Sequence, residues 1–213
     1  MQPQALRSLL LFVVVLIGVL EASTTPPPHP AVTCAGNHCI YEAHSDDNIG
    51  HLVPGTDNVY IGSNYAARNR DWLWEHNVRH IFTMGEPVPP NHQFPGTFYK
   101  EIDVRRVTHK TIMHHVVDVH GYILRLPRSE ALLMVDSGGV SDCSIFAIGH
   151  MLLSNWKLSP EEAVESLTAS RGFVSPDPKY MVEIENLATT LYVYRLNETH
   201  HKQHYLGTIK EDL

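Results

Sequence analysis

The apolar positions of this chain fall into two regimes. From Leu9 to Leu20 they run together without a charge, whereas from Asn58 onward they come in short, spaced groups. Asn58-Val-Tyr-Ile-Gly62 is a short β-like run ended by glycine, and Tyr65–Asn77 has helical spacing. Val78–Thr83 reads as a strand, Gly85–Pro95 as a proline-rich loop, and Phe98–Val104 alternates as a strand does. Thr111–Leu126 is helical and stops at Pro127, and Ala131–Val135 is apolar at every position, as in a parallel strand buried on both faces. A buried helix follows over Cys143–Trp156. The next is announced by Ser159 as N-cap, Pro160 at its first position and Glu162 at its third, a capping box, and runs to about Ser170. Ser175-Pro-Asp-Pro-Lys179 breaks the chain before a last helix over Tyr180–Tyr192. Strands alternating with helices predict an α/β fold: a central, mainly parallel twisted sheet flanked by helices, with any site at the carboxyl ends of the strands. Trp72, Trp74 and Trp156 are expected in the core.

The first regime is of another kind. Arg7 precedes the Leu9–Leu20 run, and Glu21-Ala22-Ser23 follows it. The run is short for a bilayer span, which takes about 20 residues, and fits the core of a signal peptide. Residues 1–22 are therefore read as a signal peptide cut near Ala22 or Ser23, with a signal anchor as the alternative. Residues 23–57 form a Pro/Thr-rich leader or linker, residues 58–195 the folded domain, and residues 196–213 a C-terminal tail. Entry into the secretory pathway gives three further features a meaning. Cys34 and Cys39 flank a loop that an oxidising lumen would close as a small disulfide. Asn197-Glu198-Thr199 is an acceptor for N-glycosylation, and the chain ends Lys210-Glu211-Asp212-Leu213, a permutation of a lumenal retention signal. The expected location is the lumen of the endoplasmic reticulum or the outside of the cell, with no stable membrane span once the signal is cut.

Composition narrows the partners. Sixteen Lys and Arg against 23 Asp and Glu leave a formal charge of −7, which argues against nucleic acid and anionic membranes as ligands. The fifteen histidines are scattered without a metal-binding spacing. His76 and His80 stand four apart at an expected helix end, but a metal takes three or four converging donors, so no metal and no cofactor is expected. His114, His115 and His120 share one helix and are read as packing residues, and Arg105, Arg106, His109 and Lys110 as a basic surface patch.

One segment carries candidate chemistry. Leu132–Val135 leads through Asp136-Ser-Gly-Gly-Val-Ser-Asp142 into Cys143 and an apolar helix, a strand–loop–helix turn whose backbone N–H groups converge on an anion. The loop holds Asp136 and Asp142 and neither Lys nor Arg. Its shape suits a phosphate and its charge opposes one.

From Asn58 to Leu191 the chain resembles the dual-specificity phosphatases of the cysteine-dependent tyrosine phosphatase class. Asn58-Val-Tyr-Ile-Gly-Ser63 is similar to the family's opening strand, and Phe98-Tyr-Lys-Glu-Ile-Asp-Val104 to the strand before its general-acid loop. Asn155-Trp-Lys-Leu-Ser-Pro-Glu-Glu-Ala163 is similar to its helix junction, and Arg171-Gly-Phe-Val-Ser-Pro-Asp-Pro-Lys-Tyr-Met181 to its R-x-x-I-S-P-N segment. The resemblance implies a thiolate nucleophile activated by loop N–H groups, an Arg clamping phosphoryl oxygens, and an Asp upstream protonating the leaving group. Laid on HCxxGxxRS, Val135 takes the His position, Asp136 the nucleophile, Asp142 the Arg and Cys143 the final Ser, while Gly139 and Ser141 are kept. The general-acid position falls on Arg106, with Asp103 the nearest carboxylate.

The resulting expectation is a degenerate phosphatase-like domain of the secretory pathway that works by binding a protein partner. Asp136 is expected to accept the N–H bonds of its own loop as a tethered anion, and Cys143 to be a buried structural residue. The alternative is an active phosphatase with a non-standard nucleophile, Cys143 or Asp136.

Overall fold

The computed structural model describes residues 32–35, 38–41, 48–106 and 109–211, and side chains within residues 48–104, 106 and 111–195. The signal-peptide and cleavage readings lie outside the described residues, as do the side chains of Cys34, Cys39 and Asn197. A hairpin of β1 (Val32–Ala35) and β2 (His38–Tyr41) sets Cys34 opposite Cys39 in backbone register.

A five-stranded sheet organises the rest. Its strands are β3 (His51–Leu52), β4 (Val59–Ser63), β5 (Val78–Met84), β6 (Phe98–Ile102) and β7 (Ala131–Asp136), in the order β3-β4-β7-β5-β6. Only β3 against β4 is antiparallel; β4, β7, β5 and β6 are parallel neighbours. Strand β7 is central and every residue of it is buried. Leu132 and Met134 point into one core, and Ala131, Leu133 and Val135 into the other, because successive side chains alternate across the pleat. Covered faces on both sides explain the unbroken apolar run.

The larger core lies under four helices: α2 (His109–Ile123), α3 (Asp142–Ser154), α4 (Pro160–Arg171) and α5 (Pro178–Glu211). The smaller lies under α1 (Arg70–Glu75) and the 3-10 turn Ala66–Arg68. The capping box at α4 forms as its sequence predicts, with Ser159 and Glu162 exchanging both hydrogen bonds. Among the described residues no helix is long and apolar enough to cross a membrane.

Four readings of the pattern need correction. The sheet begins at His51, inside the stretch read as linker, because Val53 donates to Val59 O at 2.8 Å and carries the chain onto the edge of β4. Tyr65–Asn77 is a 3-10 turn followed by a helix that starts only where Asn69 caps Trp72 N. The last helix runs on from Tyr192 to Glu211 without a break. Trp72 is buried, but Trp74 is 72% exposed, since the two lie on opposite sides of α1.

Helices α2 and α3 pack closely at Gly149, where any Cβ would collide with the side chain of Val116. One residue on, His150 meets His120, their Nδ1 atoms 3.0 Å apart. Burial holds the His120 pKa below its ordinary value; burial, then the neighbouring His120, holds that of His150 down at about 4. The unfolded chain takes up a proton at His150 as pH falls past about 6.5, whereas the folded chain refuses it until about pH 4. Stability from this group is therefore complete above pH 6.5 and is lost between there and pH 4, by about 3 kcal/mol. Urea unfolding at pH 7.5 and pH 4.5 is expected to show the loss, and His150→Gln to flatten it. An unchanged pH slope in that variant would refute the assignment.

Candidate functional site

The loop Ser137–Ser141 connects the carboxyl end of β7 to the first turn of α3. Gly139 has φ +70°, and a Cβ there would stand 2.6 Å from Ser63 N and closer still to Gly62 C. Only glycine lets the loop lie against the end of β4, which is how the turn becomes tight enough to aim its N–H groups inward.

Those N–H groups meet on one side chain. The Asp136 carboxylate, 5% exposed, accepts from Gly138 N at 3.0 Å, Val140 N at 3.3 Å and also Gly139 N on Oδ1. On Oδ2 it accepts from Ser141 N at 3.1 Å and Cys143 N at 3.0 Å. The start of α3 thus has its anion already: Ser141 makes no side-chain cap, and the carboxylate takes its place. The arrangement is a backbone nest closed by a residue of its own loop.

The carbonyls of the same loop point outward and are held from behind. Arg171, at the end of α4, donates through Nε to Gly139 O at 3.4 Å and through Nη2 to Gly138 O at 3.3 Å. Its Nη1 lies 3.2 Å from His51 Nε2, and His51 Nδ1 lies 3.1 Å from Ser170 O. A carbonyl only accepts, so His51 donates through Nδ1 and offers the Nε2 lone pair to Arg171. Ser175 N donates to Val140 O at 2.8 Å, and Ser144 Oγ donates to Val140 O at 3.2 Å. The loop is therefore fixed on both sides without any ligand.

The other predicted positions fall as follows. Val135 is buried in the smaller core and Ser137 is exposed. Asp142 opens α3 partly buried, and burial, reinforced by the Asp136 charge and then by Asp177 against the opposing Lys179, raises its pKa to about 6. Cys143 is fully buried, and burial, the Asp136 charge and a hydrogen bond to Asp136 push its thiol well above the ordinary range, Arg171 opposing them. Arg106 is in solvent, its side chain 88% exposed and ion-paired with Asp103 at 3.0 Å. His76 and His80 do not share a helix face. His76 stacks on Trp72 with ring centroids 4.5 Å apart, and His80 sits in β5 between Tyr122 Oη at 2.8 Å and Glu130 Oε2 at 2.7 Å.

Arg171 and His51 had no role in the sequence reading. Arg171 stands in a family-like segment, but its hold on the loop closes across 33 residues and its contact with His51 across 120, with no spacing to mark either.

The raised Asp142 pKa has a consequence for stability. A carboxyl whose folded pKa lies above its unfolded value favours the native state only when protonated, so its ionisation destabilises the fold as pH rises from 4 through 6. Asp142→Asn is expected to be about 1–2 kcal/mol more stable than the parent at pH 7.5, the full linkage value being reduced because the group is partly exposed. The gap should close below pH 5. A variant no more stable at pH 7.5 would show that Asp142 carries no electrostatic penalty.

A strand–loop–helix turn at the carboxyl end of the central strand, in a sheet covered by helices on both faces, is the arrangement of a dual-specificity-phosphatase-like fold. No family model matches the chain. It is 22% identical over 155 residues to dual specificity protein phosphatase 1 of Arabidopsis thaliana, covering 72% of this chain and 76% of that one. It is 23% identical over 137 residues to MAP kinase phosphatase with leucine-rich repeats protein 2 of Dictyostelium discoideum, 64% of this chain but only 19% of that longer protein. Among solved structures, human DUSP28 superposes with a TM-score of 0.57 at 18% identity, over 67% of this chain and 95% of that one. The chain thus has a dual-specificity-phosphatase-like fold and sequence similarity to phosphatases.

Proposed function

We propose that this is a catalytically silent, phosphatase-like protein of the secretory pathway that acts by binding another protein. The observation that supports it most is the occupancy of the phosphate loop by Asp136, which takes the N–H donors of Gly138, Gly139, Val140, Ser141 and Cys143. A phosphate would have to displace a buried carboxylate from five donors. It would then meet Asp142 where the family has an arginine. A like-charge pair about 4 Å apart costs about 4 kcal/mol at an effective dielectric of 20. The rival nucleophiles are poorly placed. Cys143 is a buried, protonated thiol, and both carboxylate oxygens of Asp136 are engaged with the backbone.

The test is direct. Phosphate or vanadate should give no thermal stabilisation, and an aryl phosphate no turnover from pH 5 to 8. Turnover that vanished in Cys143→Ser or Asp136→Asn would overturn the reading. The apolar N-terminal run, the Asn197 acceptor and the Cys34–Cys39 pairing in the β1–β2 hairpin support the secretory assignment. Mass spectrometry of the chain recovered from culture medium and from the lumenal fraction should find a start near Ser23 and a glycan on Asn197. An intact Met1 and a bare Asn197 would count against it.

A further inference from the structure

Away from the loop, on the face of the sheet covered by α1, lies a solvent-open hollow of about 150 Å³. Leu73 and Trp74 of α1, Val78 of β5, and Phe94 and Pro95 of the loop before β6 form its apolar walls. Among the described residues that line it the charged ones are Arg70 and Arg79, with no carboxylate. The helix period accounts for this: Arg70, Leu73 and Trp74 share one side of α1, whereas Asp71 and Glu75 lie about 60° and 100° further round than Trp74. Trp74 is 72% exposed, yet it is held in place, with the Arg79 guanidinium 5.0 Å from its ring centroid. Arg79 Nε donates to Asn77 Oδ1 at 2.8 Å, which leaves both Nη groups for another acceptor. The Arg70 guanidinium has no hydrogen-bond or ion-pair partner among the described residues. The opposite wall is also fixed: Phe94 N donates to Tyr99 Oη at 2.9 Å, and Gln93 Nε2 to Val88 O at 2.9 Å.

Size and charge decide what such a hollow takes. A drug-sized ligand needs about 300–1,000 Å³, twice this volume or more, whereas one large apolar side chain fills it. Ordered tryptophan and arginine around a filled pocket are the residues that carry most of the energy of protein interfaces. Two guanidinium groups with no opposing carboxylate beside them complement Asp or Glu on the incoming segment, which they can grip through paired N–H donors. On a chain of net charge −7 this is a local reversal of sign. Two cations fall short of the run of phosphate contacts that holds a nucleic acid. We infer that the Trp74 hollow is the protein-docking site of this chain, taking one apolar side chain of a partner segment that carries Asp or Glu beside it. The inference rests on the binding role proposed above and places that role away from the phosphate loop.

Random heptapeptides displayed on phage and selected on the full chain test it. The selected peptides should share a Phe, Trp or Leu flanked by Asp or Glu, and synthetic copies should bind the parent more weakly as salt is raised. Trp74→Ala, at an exposed position, should keep the parent's melting temperature and lose at least about tenfold in affinity for those peptides. Arg70→Glu/Arg79→Glu, folded by the same measure, should reject them and, in a fresh selection, enrich Lys or Arg at the flanks. Selected peptides without acidic residues, or no enrichment over the bare support, would overturn the proposal. Acidic peptides bound equally well by Trp74→Ala would overturn this site while leaving the binding role to another surface. Turnover of an aryl phosphate, in contrast, bears on the loop and leaves the peptide result unchanged. A dimer of the parent that Trp74→Ala dissociates would overturn the proposal in favour of a second copy, and a thymidine oligonucleotide bound only by the parent in favour of nucleic acid.

Discussion

Asp136→Ala is expected to cost about 3–5 kcal/mol of stability, the range for breaking a buried charged hydrogen-bond network. The reason is the number of donors that lose their acceptor together. Five backbone N–H groups close on Asp136, and the loop lies too close to β4 at Gly139 for water to replace the carboxylate easily. The loop would then remain tied from behind by Arg171 while its front face lost every partner. For a domain of this size such a loss lowers the melting temperature by on the order of 10 °C. Asp136→Asn separates charge from shape: its one carbonyl oxygen serves part of the nest, while its amide faces the N–H groups of Ser141 or Cys143, so most of the loss should persist. Chemical denaturation of the three proteins at pH 7.5 decides the matter. An Asp136→Ala variant within about 0.5 kcal/mol of the parent would mean that the carboxylate does not hold the loop.

What the amino-acid pattern revealed about this fold follows the range of each interaction. Strand β7, the α4 capping box and the loop were legible because their determinants are local: an apolar run, a Ser-Pro-x-Glu box, and glycines between two aspartates. The occupancy of the nest was legible for the same reason, since donor and acceptor lie within seven residues. The rear brace was not. His51 lies in a turn-rich stretch without periodicity, and nothing near it signals that its ring will meet Arg171. The His120–His150 contact depends on how closely α2 approaches α3 at Gly149, a tertiary distance with no mark in either helix's pattern. Trp74 stays out of the core because it faces away from Trp72 on a helix of only six residues, and nothing local marks which of the two faces the sheet covers.

The same geometry predicts that two substitutions suffice for the loop to bind and turn over a phosphate ester. In Asp136→Cys the sulfur takes roughly the place of the carboxyl carbon, which leaves the two oxygen positions, and the N–H groups that served them, to phosphoryl oxygens. Those donors, with the start of α3, should lower the new thiol's pKa and favour the thiolate. The single variant should still bind vanadate poorly, because Asp142 stays at the mouth and repels the anion. Adding Asp142→Arg turns that repulsion into a two-pronged clamp on the same oxygens, a change expected to contribute at least about 10²–10³-fold in rate. Aryl phosphates with good leaving groups need little protonation, so having the exposed Arg106 where the resemblance puts a general acid is no barrier for such substrates. The double variant Asp136→Cys/Asp142→Arg is thus expected to bind vanadate and to hydrolyse p-nitrophenyl phosphate measurably, while each single variant does neither. Iodoacetate should inactivate it faster at neutral pH than it modifies Cys143 of the parent, a buried thiol that stays protonated. If the double variant folds but gives no vanadate binding, the loop does not have the shape of a phosphate cradle, and the nest around Asp136 fits a carboxylate alone.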